Sequence, residues 1–400
     1  MTEPTDQPPR ADDFDPSLSQ SPADVYAMYA RLRQQCPVAH SSAYGGHWAL
    51  SRYEDVRAAA SDSRGFISSV RAVVPSDPRG LRRPPLNLDA PEHTPFRRAL
   101  DRTLQRRRVA GLEEAITGHA ERELQPMLDQ GGGDVAQEYG ARLPAWVTAE
   151  WLNLEPGTAP VLADRAARWV NAWRAQDRAA VNEHSERMYE IARELVEARE
   201  RSPLPVERDP ASSLLAERHE GQPLDRDQIV GALRQSLVVG MVAPPILLGS
   251  VCAHLSGDQA LQDRLRAHPE LLPEAIEEFL RLYTPYRGFA RTVPAERTLH
   301  GRTIRPGEPV TLAYASANRD ESVFAEADTF RWGRANINQH LAFGRGRHQC
   351  AGMPLARLGV LVSLRTLLAR TRSFEVAGGI EGARMPEVGA VSVPLTLHRK

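Results

Sequence analysis

Lysine is almost absent from this chain: Lys400 is the only one, and the other basic residues are arginines. The bias is of the kind a GC-rich genome would give, and it carries no information about chemistry. Cysteine is scarce as well. Cys36, Cys252 and Cys350 are odd in number, far apart and at no zinc-binding spacing, which argues against a disulfide framework and a structural zinc site. Charge imbalance is missing too. A net charge of −1 and a pI of about 6.9 leave no electrostatic footprint for nucleic acid or an anionic membrane. The opening residues, MTEPTDQPPRADDFDP, lack a basic start followed by an apolar stretch, so no signal peptide is expected. No uninterrupted apolar run reads as long enough to span a bilayer. A cytoplasmic protein is the expectation. What is present is ordinary globular material: 400 residues, 42% of them hydrophobic, enough for a sizeable core.

Residues 1–20 are polar and rich in Pro, Asp and Ser, and are expected to form a disordered tail ahead of one domain over 21–400. From Pro22 onward apolar residues recur at helical spacing, beginning with Val25, Met28, Tyr29 and Leu32. His47–Leu50 reads as a short strand followed by a helix from Tyr53. Ser68–Leu88, dense in proline and arginine, reads as a long loop of the functional kind. Helical patterns follow near Pro95 and over Leu112–Leu128, Ala145–Leu152, Val161–Ala175 and Val181–Arg201. A long helix is expected from after Asp225 to about Leu255, then helices near 259–267 and 271–283. Short strands fill 287–315, and Val391–Leu397 closes the chain as a strand. The expected fold is mainly α with small β-sheets, in a single domain.

The strongest local signal is Phe343-Gly344-Arg345-Gly346-Arg347-His348-Gln349-Cys350-Ala351-Gly352. Its glycines allow a tight turn and close backbone approach to a flat ligand. An apolar helix follows, supported by Leu355, Leu358, Val362 and Leu364, so Cys350 sits just before a helix N-terminus. Amide groups there favour a thiolate and are expected to lower its pKa. A thiolate ligates iron and pushes electron density toward O–O cleavage. A cysteine nucleophile served by His348 is the competing reading. Two positions apart on one loop is poor geometry for a general base, and no third orienting group is evident.

This loop resembles the cysteine signature of the cytochrome P450 family of haem-thiolate monooxygenases, and the resemblance extends from about Tyr26 to Leu397. It implies the cytochrome P450 fold, haem b as cofactor, and Cys350 as the metal ligand within a haem-binding set that includes Phe343, Gly344 and Gly352. It also implies that His93 and Arg97 of His93-Thr94-Pro95-Phe96-Arg97, with Arg291 and His348, bind the haem propionates. Glu278 and Arg281, three apart on one helical face, would form a structural ion pair completed by Arg334. No flavin or iron–sulfur motif is present, so electrons are expected from a separate ferredoxin and ferredoxin reductase. They would be steered by the basic stretch Arg97, Arg98, Arg102, Arg106, Arg107 and Arg108. Neither nucleic acid nor membrane is an expected partner.

The chain departs from the family pattern in the helix that should cross the oxygen-binding face. The acid–alcohol pair falls at Val242 and Ala243, which can neither donate nor relay a proton. Pro244 and Pro245 follow, and in a helix interior each would cost about 3 kcal/mol and kink it. The expectation is that Gly240, Val242, Ala243 and Pro244 shape the oxygen notch while the proton route is missing or relocated. Four readings stay open: monooxygenation with protons from substrate or water, oxidative coupling, peroxide-dependent oxidation, and a non-catalytic haem module. Candidate substrate contacts are Val70, Val73, Val74, Val239, Phe289 and Val391, with Val242 and Ala243 beside them and Tyr286, Trp169 and Trp173 adding aromatic surface. An apolar pocket of this kind suits an aromatic or natural-product-like small molecule. Arg71, Arg79, Arg82 and Arg83 lie on the pocket-side loop, where they either draw in an acidic substrate or are simply solvated.

Overall fold

Apolar residues at helical spacing need a partner face, and here the longest helices supply it to one another. The computed structural model describes residues 12–18, 21–75, 83–175 and 177–400. Its helices run Pro22–Gln35, Tyr53–Ser61, His93–Thr103, Arg106–Ala110, Glu113–Gln130, Leu143–Leu152, Thr158–Arg174, Arg178–Arg201 and Pro210–Ala216. They continue through Arg226–Val239, Ala243–Gly257, Gln259–Ala267, Leu272–Leu282, Tyr314–Ala317 and Met353–Arg370. The Met353–Arg370 helix packs against Glu113–Gln130, Leu143–Leu152, Ala243–Gly257 and Leu272–Leu282. Leu355, Leu358, Val362, Leu364, Leu367 and Leu368 are buried there, each worth about 1.5–3 kcal/mol of apolar transfer. The helix after Cys350 is therefore anchored in the main core.

A four-stranded sheet lies to one side, in the order Val38–Ser41, His47–Leu50, Pro309–Leu312, Phe289–Thr292. Trp48 pairs with Val310 in parallel, and Arg291 faces Val310 antiparallel, so the sheet sets where Arg291 points. A second sheet joins Thr371–Val376, Pro394–Arg399 and Gly132–Asp134. The expected closing strand is two, Ala390–Ser392 and Pro394–Arg399, because residue 390 pairs with the Glu381–Gly382 strand and residues beyond 394 with the other sheet.

Arg79, Arg82 and most of the expected tail lie outside the described residues. The part of the tail that is described is tied down. The Asp13 amide donates to the His40 carbonyl at 2.9 Å, Arg302 pairs with Asp13 at 2.8 Å, and Arg287 donates to the Pro16 carbonyl at 3.0 Å.

The long helix expected after Asp225 is two helices, Arg226–Val239 and Ala243–Gly257, separated at Gly240-Met241-Val242. Pro244 and Pro245 stand in the first turn of the second helix. No intrahelical partner exists there for a backbone N–H, so the interior penalty does not arise. The kinked helix is thus a stop and a restart. Taken together, Arg226–Gly257 is long and apolar enough to cross a membrane by length and composition, contrary to the expectation that no run is. In this fold 67% of its most apolar window is buried inside the chain, as a central core helix would be.

Candidate active site

The cysteine loop is a tight structure held by its own backbone. The Cys350 amide donates to the Phe343 carbonyl at 2.9 Å, the Gly344 amide to Leu341 at 2.9 Å, and the Gln349 amide to Gly346 at 3.1 Å. Gly346 has a φ of +72°, and a Cβ there would lie 2.4 Å from the Ala60 carbonyl oxygen. Only glycine satisfies both constraints. Gly352 caps the Met353–Arg370 helix, and the Gly352 and Met353 amides bond the Cys350 sulfur.

Cys350 presents accessible surface, but to a recess within the protein. Burial pushes its thiol up from the ordinary value, while the Gly352 amide, the charges of Arg97 and Arg357 and the Met353 amide pull it down. The net direction is upward. The expected lowering by the helix N-terminus is real but smaller than the desolvation of a buried thiolate. A bound metal ion reverses that balance, because a coordinating thiol is deprotonated outright. The competing nucleophile reading has no geometry behind it: His348 Nε2 faces Asp89 at 3.7 Å, and its ring packs edge-on to His93 at 4.5 Å.

The remaining predicted haem contacts gather around that histidine pair. His93 opens the His93–Thr103 helix and is buried, and neither of its ring nitrogens has a hydrogen-bond partner among the described residues. Burial, then Arg97 and Arg347, lower its pKa to about 4, and burial, then Arg291 and His93, lower that of His348 to about 3. Arg291 is buried; it donates to its neighbouring Ala290 carbonyl at 2.8 Å and also contacts the Tyr314 hydroxyl. Arg97 is more committed than expected. Its Nε pairs with Asp101 at 2.7 Å, and Nη1 donates to the carbonyls of Gln349 and Arg347, bracing the cysteine loop. Cationic groups and orphaned ring nitrogens beside a sulfur ligand fit a flat metallocycle with a dianionic edge. These residues fit haem.

Below this recess lies a buried ion network. Glu278 and Arg281 are 2% and 0% exposed. All five Arg281 N–H donors are used: two on Glu278 (2.8 and 2.7 Å) and three on the carbonyls of Asn318, Ala327 and Thr329 (2.9, 2.6 and 3.1 Å). Arg334 Nε donates to Glu278 at 2.8 Å, and its other nitrogens donate to the carbonyls of Ala325, Glu326 and Thr329. The three residues thus tie the helix Leu272–Leu282 to the segment that leads into the cysteine loop.

Sequence reasoning missed the parallel network next door. Glu277 receives Arg357 Nε and Nη2 at 2.6 Å each and contacts His340 Nε2 at 3.0 Å. The Arg357 guanidinium lies 4.8 Å from the centre of the Phe343 ring. Adjacent carboxylates thus grip the approach to the loop and the helix after it. Nothing in the spacing of Glu277 and Arg357 announces the pair, which exists only because two helices pack. The pKa of Glu277 is held down to about 2: burial raises it, but bonds from Arg357 and His340 outweigh that cost.

Val242 is buried, and it lines a cavity of about 30 Å³ with Met241, Pro245, Ile246, Val170 and Val391. A Cβ on Gly240 would meet Thr148 Oγ1 at 3.2 Å. Ala243 is half-buried at the restart of the helix. Phe289 packs on Tyr286 at 4.9 Å. The predicted substrate residues do not form one wall. Val74 is buried, Val73 is half-buried, and Val70 and Val239 are 68% and 46% exposed. Alternation could not reveal this, since loop valines have no period that marks a face. A residue not anticipated is Glu387, fully buried, whose Oε2 receives Arg174 Nε and Nη2 at 2.9 and 2.8 Å. Burial pushes its carboxyl up.

The basic stretch is only partly free. Arg98 and Arg102 both pair with Glu217, and Arg108 bonds the Glu150 and Arg208 carbonyls, while Arg106 and Arg107 are exposed. His93, Thr94, Arg97, Arg98, Asp101, Arg102, Gln105 and Arg347 border an open depression of about 620 Å³ beside the cysteine loop.

Comparison with known proteins agrees with this geometry. The cytochrome P450 family model matches residues 251–379, the stretch from the central helix through the cysteine loop. Linalool 8-monooxygenase of Pseudomonas putida is 30% identical over 378 residues, covering 89% of this chain and 90% of its own. Mycinamicin IV hydroxylase/epoxidase of Micromonospora griseorubida is 31% identical over 354 residues, covering 86% and 87%. A cytochrome P450 structure from Chondromyces apiculatus superimposes with a TM-score of 0.85 at 26% identity, over 96% of this chain and 97% of that one. The chain belongs to the cytochrome P450 family. It is a haem-thiolate oxidoreductase of the monooxygenase class, with the mainly α fold and small sheets of that family.

Proposed function

We propose that residues 21–400 form one haem b domain that oxygenates a small apolar or natural-product-like substrate in the cytoplasm, with Cys350 as the iron ligand. The carrying observation is the Cys350 loop, braced by Arg97 and flanked by the unpartnered nitrogens of His93. When bound, haem supplies the activation of oxygen, with thiolate ligation favouring O–O cleavage. The protein's own residues do the rest. His93, Arg97, Arg291 and His348 orient the propionate edge, and Gly344, Gly346 and Gly352 let the backbone approach closely. Glu278, Arg281 and Arg334 hold the loop against the core.

The stop at Gly240-Met241-Val242 and the restart at Ala243 and Pro244 shape the oxygen side. Neither Val242 nor Ala243 carries a proton, so water or the substrate itself delivers protons there. The apolar side chains of Val242 and Val391 at the small cavity, and of Phe289 beside Tyr286, keep bulk solvent from the substrate. The relatives named for linalool and mycinamicin IV support a terpenoid-sized or larger natural product. A ferredoxin with its reductase delivers electrons at the arginine-bordered depression.

The reduced protein under carbon monoxide should show the red-shifted Soret band of a thiolate ligand, and Cys350→Ser should abolish or move it. A colourless protein after haem supplementation ends this reading. The missing acid–alcohol pair also favours a second reading, in which peroxide replaces electron and proton delivery. Turnover with peroxide alone and none with a ferredoxin system would select it.

A further inference from the structure

We propose that Arg234 and Arg83 form an anion-recognition subsite on the Val242 side of the active site, and that the preferred substrates are extended organic carboxylates. The proposal deepens the haem reading and rests on it.

Arg234 lies among Ile229, Val230, Ala232, Leu233, Leu237 and Val238 on the helix Arg226–Val239 and is 0% exposed. Arginine is almost never fully buried unless it is paired. Arg281 shows how this fold treats a structural buried guanidinium: every donor is satisfied. Arg234 is treated differently. Nη2 donates to Ser185 Oγ at 2.8 Å, while Nε and Nη1 have no partner among the described residues. No carboxylate pairs with it among the described residues. Glu186 and Glu190, on the facing helix Arg178–Arg201, pair instead with Arg193 and Arg187. The charge that acts on it among the described residues is a second cation, Arg83 of the pocket-side loop, whose Nε is also buried and has no partner among them.

The group is held in position. The guanidinium lies 5.2 Å from the Trp169 ring centre and 5.5 Å from that of Tyr189, one ring from each neighbouring helix. Stacking of this kind orients the donors without consuming them. Burial lowers the pKa of Arg234 to about 9 and that of Arg83 to about 10, so both stay charged at neutral pH. Two desolvated cations with no counter-charge among the described residues are stabilised by a bound anion through charge-assisted hydrogen bonds.

The placement relates the anion to the site of oxidation. Arg234 and Val238 are four residues apart on one helical face, and Val242 follows in the break just past the helix end at Val239. Val238 and Val242 pack with Trp169, and Val242 reaches the cavity below. At 1.5 Å per residue the Cα of Arg234 stands about 8 Å along the axis from the helix end at Val239, and Val242 lies three residues further on. A substrate gripped by its carboxylate at Arg234 would be oxidised far from that carboxylate, so long acids fit and short ones do not.

The test uses the haem-loaded protein with four probes: dodecanoate, 8-phenyloctanoate and their methyl esters. Binding is read by the Soret shift and by calorimetry. Each acid should bind at least about tenfold more tightly than its ester, a difference of about 1.4 kcal/mol. That preference should vanish in Arg234→Gln, weaken in Arg83→Gln and partly return in Arg234→Lys, with the carbon monoxide band retained throughout. Equal binding of acid and ester, no binding of the acids, or a preference that survives both glutamine variants overturns the subsite. Loss of the carbon monoxide band in the parent protein would instead defeat the haem reading, and calorimetry still reports on the anion.

Discussion

Replacing Glu277 by glutamine removes one charge from the network that joins the helix Leu272–Leu282 to the helix after Cys350. The folded carboxyl is held at about 2 against an ordinary 4.5, through Arg357 and His340. That difference corresponds to about 3 kcal/mol of stability at neutral pH. The folded state binds this proton less tightly than the unfolded chain. Between pH 4.5 and about 2 the unfolded chain therefore carries more protons, and the contribution is lost as pH falls through that window. Urea denaturation of the parent protein and Glu277→Gln should show a gap approaching about 3 kcal/mol at pH 7. At pH 3.5 the gap should shrink by about 1 kcal/mol. A gap that is absent at pH 7, or equal at the two pH values, would refute the reasoning, because an electrostatic contribution must follow the titration of the carboxyl.

Gly346→Ala should destabilise the cysteine loop, since the left-handed backbone costs about 1–2 kcal/mol and the new Cβ would press on the Ala60 carbonyl. Unchanged melting temperature and haem content in that variant would count against the glycine requirement. Pro244→Ala and Pro245→Ala should each change stability by less than about 1 kcal/mol, because first-turn prolines displace no helical hydrogen bond. A stabilisation of about 3 kcal/mol in chemical denaturation would mean that the prolines strain an otherwise continuous helix.

The cysteine loop was legible in the sequence because its information is local. Two glycines, a cysteine and a following apolar helix lie within one short stretch, and backbone sterics permit few conformations for it. The helices were legible for the same reason: a periodic apolar face is written in consecutive residues, as in Arg178–Arg201 and Gln259–Ala267. The helix break was half legible. The prolines announced a disturbance, but whether they kink a helix or open a second one depends on where the first helix ends, at Val239.

Interactions between distant segments were beyond that reach. Glu278 and Arg281 could be paired from their spacing, whereas Glu277 with Arg357, Arg174 with Glu387, and Arg234 beneath Trp169 and Tyr189 join segments whose separation carries no signal. The thiol of Cys350 makes the same point in energetic terms. Its neighbours in sequence pull the pKa down, and the surrounding fold, by desolvating it, pushes the net value up. What the chain alone determined was which local shapes and which ligand atom are available. The tertiary structure decided which charges are buried and which of them find partners, because desolvation and pairing are properties of the assembled interior.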